Sequence, residues 1–365
     1  MTTLRFVEGL HRFSAALDAE ARLREADVEP VRRSLLRGLQ VIADTEALHT
    51  SRPDVAAQDL GAPVFVIGFL RTGSTLVHNL LALHPDVHSP QLWELAYPVE
   101  AALADAEERV QLEKQAQAYV EDYYQLAPSL PSIHYLEAGL PDECHRLLAN
   151  TFSSMVLEMR YRVPSYGEWL HAQDLTEPYR WHRRQLQGLM SAHRRADGTV
   201  PVPVLKCPFH TWFLADLVRV YPEARFIHLH RDPVESVVST ASLCRTVRGA
   251  RSDSLDLSEI GELWHRRISV RSEELAASRD ELLDGRPVLD LPYRELVADP
   301  PAAMRRACEF LGLPFSAEFQ AGIGEHLRRH RAGVHGAHRY TPEEFGLSAD
   351  AIRSATSDYR TRFGV

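Results

Sequence analysis

Runs of β-favouring apolar residues that stop at a sharp break and give way to helical spacing organise this chain. Val64 to Ile67 contains no polar alternation, which predicts a strand buried on both faces of a parallel sheet. Gly68 and Gly73 bracket a tight loop, and Ser74, Thr75, Leu76, Val77, Leu80 and Leu81 then follow as a helix start with apolar residues at helical spacing. A second strand, Ala224 to His230, breaks at Arg231-Asp232-Pro233, where Asp232 is a natural N-cap and Pro233 suits the first turn of a helix reaching about Leu243. Between them, Val202 to Lys206 reads as a short strand and Trp212 to Val220 as a helix, giving a strand-helix-strand crossover. Pro287 to Tyr293 reads as a further strand closed by Tyr293, and Pro300 to Leu311 as a helix ended by Gly312.

The remaining pattern is helical. Leu35, Leu36, Leu39, Ile42 and Leu48 fall at helical spacing within a preface from about Thr3 to Leu48, with Pro30 separating two helices, and His49 to Pro63 reads as a connector. Ala101 to Gln125 predicts a solvent-facing helix with Leu103, Val110, Leu112 and Tyr119 as its buried stripe. The expected organisation is an N-terminal helical extension over residues 1–60, packed on an α/β domain over 61–365 with a helical insertion at about 101–195.

The loop after the first strand has the chemistry of an anion cradle, because free N–H groups and hydroxyls gather at a helix start. A nucleoside-triphosphate loop of the form GxxxxGK[ST] places lysine after its second glycine, where this chain has Ser74. Arg71 instead lies inside the bend, where a guanidinium fork can grip a phosphate or sulfate-like group. The plain alternative is a capped helix with Arg71 in solvent. At the other strand end, Arg231 and Ser239 can face one anion, or Arg231 can simply pair with a carboxylate at the sheet edge. The string His230-Arg231-Asp232 also opens a protein-kinase catalytic loop, but that pattern needs asparagine where this chain has Val237. The fold class expected is α/β: a P-loop-type parallel sheet flanked by helices, with a helical preface and helical insertions.

Together the two segments resemble the superfamily of sulfotransferases that use 3′-phosphoadenosine 5′-phosphosulfate (PAPS). The resemblance covers roughly residues 60–365 and implies that Arg71, Thr72, Gly73, Ser74 and Thr75 bind the 5′-phosphosulfate. It implies likewise that Arg231 and Ser239 bind the 3′-phosphate, with PAP as product. Arg71 departs from the lysine usual in the cytosolic enzymes and is similar to a bacterial branch, as are Trp93-Glu94-Leu95, Leu205-Lys206-Cys207-Pro208 and His338-Arg339-Tyr340. Lys206 is then the leading stabiliser of the leaving group, and Glu94 the leading general base. His210 is the rival base, two residues out of the register the small-molecule enzymes use, with His134, Asp142 and Glu143 behind it. Tyr293 matches a position that contacts adenine, and Arg339, in the basic glycine-punctuated run from Arg328, is the first choice to close over the 3′-phosphate. The helices around Ile133 to Met159 and Tyr161 to Arg194 are expected on the acceptor side, where Trp93, Tyr97, Tyr135, Phe152 and Met155 suggest an apolar pocket for a small-molecule or lipid acceptor.

Charge and composition narrow the partners. A net charge of -9 argues against nucleic acid. Lysine occurs only at Lys114 and Lys206 in an arginine-rich chain, which singles out Lys206. Cys144, Cys207, Cys244 and Cys308 form no zinc-type spacing, so reduced thiols and no metal are expected. No apolar segment of the N-terminal region suits a signal peptide or membrane span, and a cytoplasmic enzyme is expected. A kinase of the same loop architecture, or a nucleotide-binding protein without turnover, are the competing readings.

Overall fold

Five parallel strands form one sheet in the order β2-β3-β1-β4-β5, with β1 Val64–Ile67, β2 Val87–His88, β3 Val202–Lys206, β4 Arg225–His230 and β5 Val288–Pro292. The computed structural model describes residues 2–330 and 340–365. β1 is buried throughout because both faces are covered: Phe65 and Ile67 point into a core shared with the helical insertion, and Val64 and Val66 into a second core with Leu296, Met304 and Leu311. That two-sided burial makes the sheet the middle layer of an α/β fold, as the uninterrupted apolar run of β1 requires.

The preface packs on the larger core, to which Phe13, Ala16, Leu17 and Val31 contribute. Its helices are Thr2–Glu20 and Glu25–Ser51, so the break falls before Glu25 and Pro30 lies inside the second helix. So near the start of that helix its missing N–H removes little of the hydrogen-bond ladder. Gly9 and Gly38 let the preface approach Phe152 closely; a Cβ would lie 2.9 Å from the Phe152 carbonyl oxygen and 3.2 Å from its ring, respectively.

Three other expectations shift. The insertion helix runs Ala106–Leu126 and buries Ala116, Val120 and Tyr123, whereas Leu103, Val110 and Tyr119 are exposed, because the stripe that meets the core advances by threes and fours from Leu112. Tyr293 does not close β5 but opens the helix Tyr293–Ala298. The helix after β4 extends from Pro233 to Gly249, capped by Asp232, whose carboxylate accepts from the Val234 N–H at 2.9 Å. All four cysteines are free and buried, and among the described residues no helix is long and apolar enough to cross a membrane.

Candidate active site

The register brings the charged ends of the central strands to one edge. Val66 lies opposite both Lys206 of β3 and Ile227 of β4, and His230 lies opposite Pro292 of β5. The loop after β1, Lys206, Arg231 and Tyr293 therefore emerge together, at the point where the chain passes from one side of β1 to the other. Such a switch point is where open parallel sheets hold ligands. A cleft of about 520 Å³ opens there, lined by Arg71, Gly73, Ser74, Thr75, Lys206, Arg231 and Tyr293 among the residues expected from sequence.

The loop is built to present Arg71. Its backbone is left-handed (φ 69°), an uncommon and strained conformation for a side-chain-bearing residue, and strain of this kind concentrates where function requires it. Gly73 (φ 91°) heads the helix Ser74–Leu81, and a Cβ there would lie 2.9 Å from both the Tyr293 ring and Leu296. The same Tyr293 ring supports Arg231, whose guanidinium carbon lies 4.2 Å from the ring centre. Arg231 donates to the Arg71 carbonyl at 2.8 Å and pairs with Glu235. Burial lowers the Arg71 guanidinium from its ordinary pKa, and the nearby Arg231 adds to that. The Nε atoms of both arginines are buried and meet no hydrogen-bond partner among the described residues. Two crowded cations with unused donors are what a polyanion would relieve.

Lys206, almost wholly buried, donates from Nζ to Glu143 Oε1 at 2.5 Å, and Glu143 Oε2 accepts from His145 Nδ1 at 3.1 Å. Burial would raise the Glu143 carboxyl, but the Lys206 ammonium and the His145 hydrogen bond hold it well below the usual carboxylate range. His134 also lines the cleft, and burial pushes it down to about 4, so it is neutral at pH 7. Glu143 is the only carboxylate among the described lining residues, against the cations Arg71, Lys206 and Arg231.

Four expected residues lie elsewhere. Thr72 is buried and donates to the Phe69 carbonyl at 2.8 Å, bracing the loop from behind. Ser239 is buried in the helix Pro233–Gly249 and does not line the cleft. Glu94 is the third residue of the helix Leu92–Ala96 and accepts from the Gln91 N–H at 2.7 Å in a capping box. His193 and His88 lie at 2.7 and 3.1 Å from its two oxygens, and although burial would raise the carboxyl, these two contacts hold it down at about 2. His210 sits in the interior between Tyr179 OH at 2.8 Å and Cys144 Sγ at 3.1 Å, because Pro208 opens a 3₁₀ turn that rotates it inward. Arg339 lies outside the described residues, as do His338 and the glycines of that run, but His330 at its start lines the cleft. Val297 and Pro300 line it too, from the segment after β5 that the string Leu-Pro-Tyr-Arg-Glu marks. Of the residues expected to form an apolar pocket, Tyr97 and Phe152 line a second cavity, and Trp93 and Met155 are buried in the core.

Comparisons with known proteins identify the family and the fold. The sulfotransferase family profile matches residues 63–317. A curated relative, the omega-hydroxy-beta-dihydromenaquinone-9 sulfotransferase Stf3 of Mycobacterium bovis, is 25% identical over 262 residues, and its counterpart in Mycobacterium tuberculosis matches equally. The match takes in 69% of this chain and 63% of those relatives. The crystal structure of the sulfotransferase STF1 from Mycobacterium tuberculosis superimposes with a TM-score of 0.78 at 26% identity, over 96% of this chain and 92% of that one. STF9 from Mycobacterium avium shares the fold with a TM-score of 0.84 at 22% identity, over 99% and 92%. With more than half of its length matched by the profile, the chain belongs to the sulfotransferase family.

Proposed function

We propose that this protein transfers a sulfuryl group from PAPS to a hydroxyl of a small-molecule or lipid acceptor and releases PAP. The observation that carries the reading is the pair of half-buried arginines, Arg71 and Arg231, whose buried Nε donors are unused and which line one cleft with the Tyr293 ring that supports Arg231. In this reading Arg71, Ser74, Thr75 and the N–H groups at the helix start hold the 5′-phosphosulfate. Arg231 holds the 3′-phosphate and Tyr293 offers its ring to the adenine. Thr72 and Ser239 support the same two ends from behind the cleft wall, and Arg339 is assigned to the 3′-phosphate by the family resemblance alone.

The acceptor oxygen bonds to sulfur as the bond from sulfur to the phosphate oxygen breaks, and the acceptor proton must leave. Lys206 turns its ammonium to the phosphate oxygen that gains charge, and Glu143, freed of part of that partner, takes the proton. Glu94 and His210 hold the scaffold in this reading, since their hydrogen bonds are spent on it. The curated relatives are named for a hydroxylated menaquinone, which fits a hydroxyl carried on a largely apolar body as acceptor. The four free thiols fit a reducing compartment such as the cytoplasm.

Arg231→Ala is the direct test of the donor site. Loss of a charge-assisted contact worth about 1.5–3 kcal/mol is expected to weaken PAP binding by about 10- to 100-fold in calorimetry. Unchanged affinity would remove the 3′-phosphate assignment.

The base assignment separates through two isosteric changes. Glu143→Gln is expected to lower turnover by about 10²–10⁴. Glu94→Gln is expected to keep turnover within a few-fold but to lose stability at neutral pH. Because the folded carboxyl titrates at about 2 rather than its ordinary 4.5, its contribution is present above pH 4.5 and disappears as pH falls towards 2. The melting difference between Glu94→Gln and the parent should therefore shrink across that window. A turnover collapse in Glu94→Gln with Glu143→Gln active would return the base to Glu94.

A further inference from the structure

A second cavity of about 420 Å³ lies between the preface and the helical insertion, and one hydrogen bond joins its wall to the donor cleft. His145 lines this cavity and Glu143 lines the cleft, 3.1 Å apart. The His145 side chain is nine-tenths buried, and its Nε2 meets no partner among the described residues. Phe13, Leu35, Leu95, Phe152 and Leu157 make much of the lining apolar. Phe152 holds its position with a left-handed backbone (φ 55°).

The charged part of the wall is of one sign. Arg37, Arg146 and Arg160 line the cavity with no carboxylate among the described lining residues, in a protein whose net charge is -9. Arg37 is matched by Glu100 and Arg146 by Asp142, both from outside the wall, but no ion pair joins Arg160 to a carboxylate among the described residues. A wholly apolar alcohol would leave Arg160 without a partner when it displaced water from this wall.

We infer that this second cavity seats the acceptor, and that the acceptor is an anionic amphiphile: an apolar chain or ring body filling the space between the preface and the insertion, with a carboxylate, phosphate or sulfate group paired to Arg160. The inference rests on the sulfuryl-transfer reading and names its substrate class. It also gives the preface a role, since Leu35 and Phe13 close one side of the seat. The cavity volume lies within the range of small-molecule sites.

The test is calorimetry with dodecyl phosphate below its micelle concentration, titrated into the full chain held at saturating PAP. One site per chain is expected, with inorganic phosphate and dodecyl maltoside each binding at least tenfold more weakly. Arg160→Ala should weaken dodecyl phosphate by about 10- to 100-fold, Arg160→Lys should restore most of it, and Leu35→Trp, which fills the cavity from a half-exposed position, should abolish it. PAP affinity should stay unchanged in all three variants, which also shows that they fold. If PAP binds but dodecyl phosphate does not, or binds with indifference to both Arg160→Ala and Leu35→Trp, the acceptor assignment is overturned while the donor site stands. If PAP itself fails to bind, both fall together.

Discussion

Lys206→Met is expected to lower kcat by about 10²–10³ while PAP affinity changes by only a few-fold, because in the proposed reaction the ammonium acts on charge that develops as the sulfuryl group departs. Methionine keeps the length and apolar stem of the lysine and deletes only the cation. The change also strips Glu143 of its closest partner in a place where the Lys206 side chain is only 3% exposed. Breaking a buried pair by removing one member costs about 3–5 kcal/mol, so the single variant should melt well below the parent. Adding Glu143→Gln removes the stranded charge and should recover much of that stability without recovering turnover. The double variant thus separates a folding defect from a chemical one. A Lys206→Met protein that turns over within about threefold of the parent would show that the cleft stabilises the leaving group by other means, with Arg71 the remaining cation on that side.

The parts of this site that could be read from sequence are those fixed within a few residues. Gly68 and Gly73 around Arg71, and the Asp232-Pro233 break after Arg231, are local signals, since each states a backbone requirement that neighbours cannot override. Glu143 gave no comparable signal. It meets Lys206 because the Cys144 N–H donates to the Lys206 carbonyl at 3.1 Å, a pairing across more than sixty residues that no periodicity announces. His330 reaches the cleft in the same non-local way, from the end of the helix Ala317–Arg329. Glu94 illustrates the opposite case. In the structure Gln91 and Glu94 form a local capping box, and that helix-start geometry accounts for the carboxylate's position. His210 was displaced by a turn: counting residues from Lys206 assumes an extended chain, whereas Pro208 starts a 3₁₀ helix at once.

Gly68→Ala is expected to cost about 2–4 kcal/mol of stability and at least tenfold in PAP affinity in whatever protein folds. Gly68 has φ 137°, a region that L side chains rarely enter, and an added Cβ would lie 2.6 Å from the Leu229 carbonyl oxygen and 2.9 Å from Thr72 Oγ1. Leu229 cannot retreat cheaply, because β4 is paired to β1 on one side and to β5 on the other. The strain must then move into the loop. There the Thr72 hydroxyl is tied to Phe69, and the Arg71 carbonyl carries the hydrogen bond that sets Arg231. Both cleft arginines thus depend on a glycine that does not itself line the cleft. Gly61→Ala supplies the control: its φ is 60°, but nothing lies within 4 Å of the new Cβ, so only the left-handed backbone cost of about 1 kcal/mol applies and PAP binding should be untouched. Melting curves and PAP titrations that fail to distinguish the two variants would mean that the loop is not anchored to β4 at Gly68, and that Arg71 and Arg231 are positioned independently of each other.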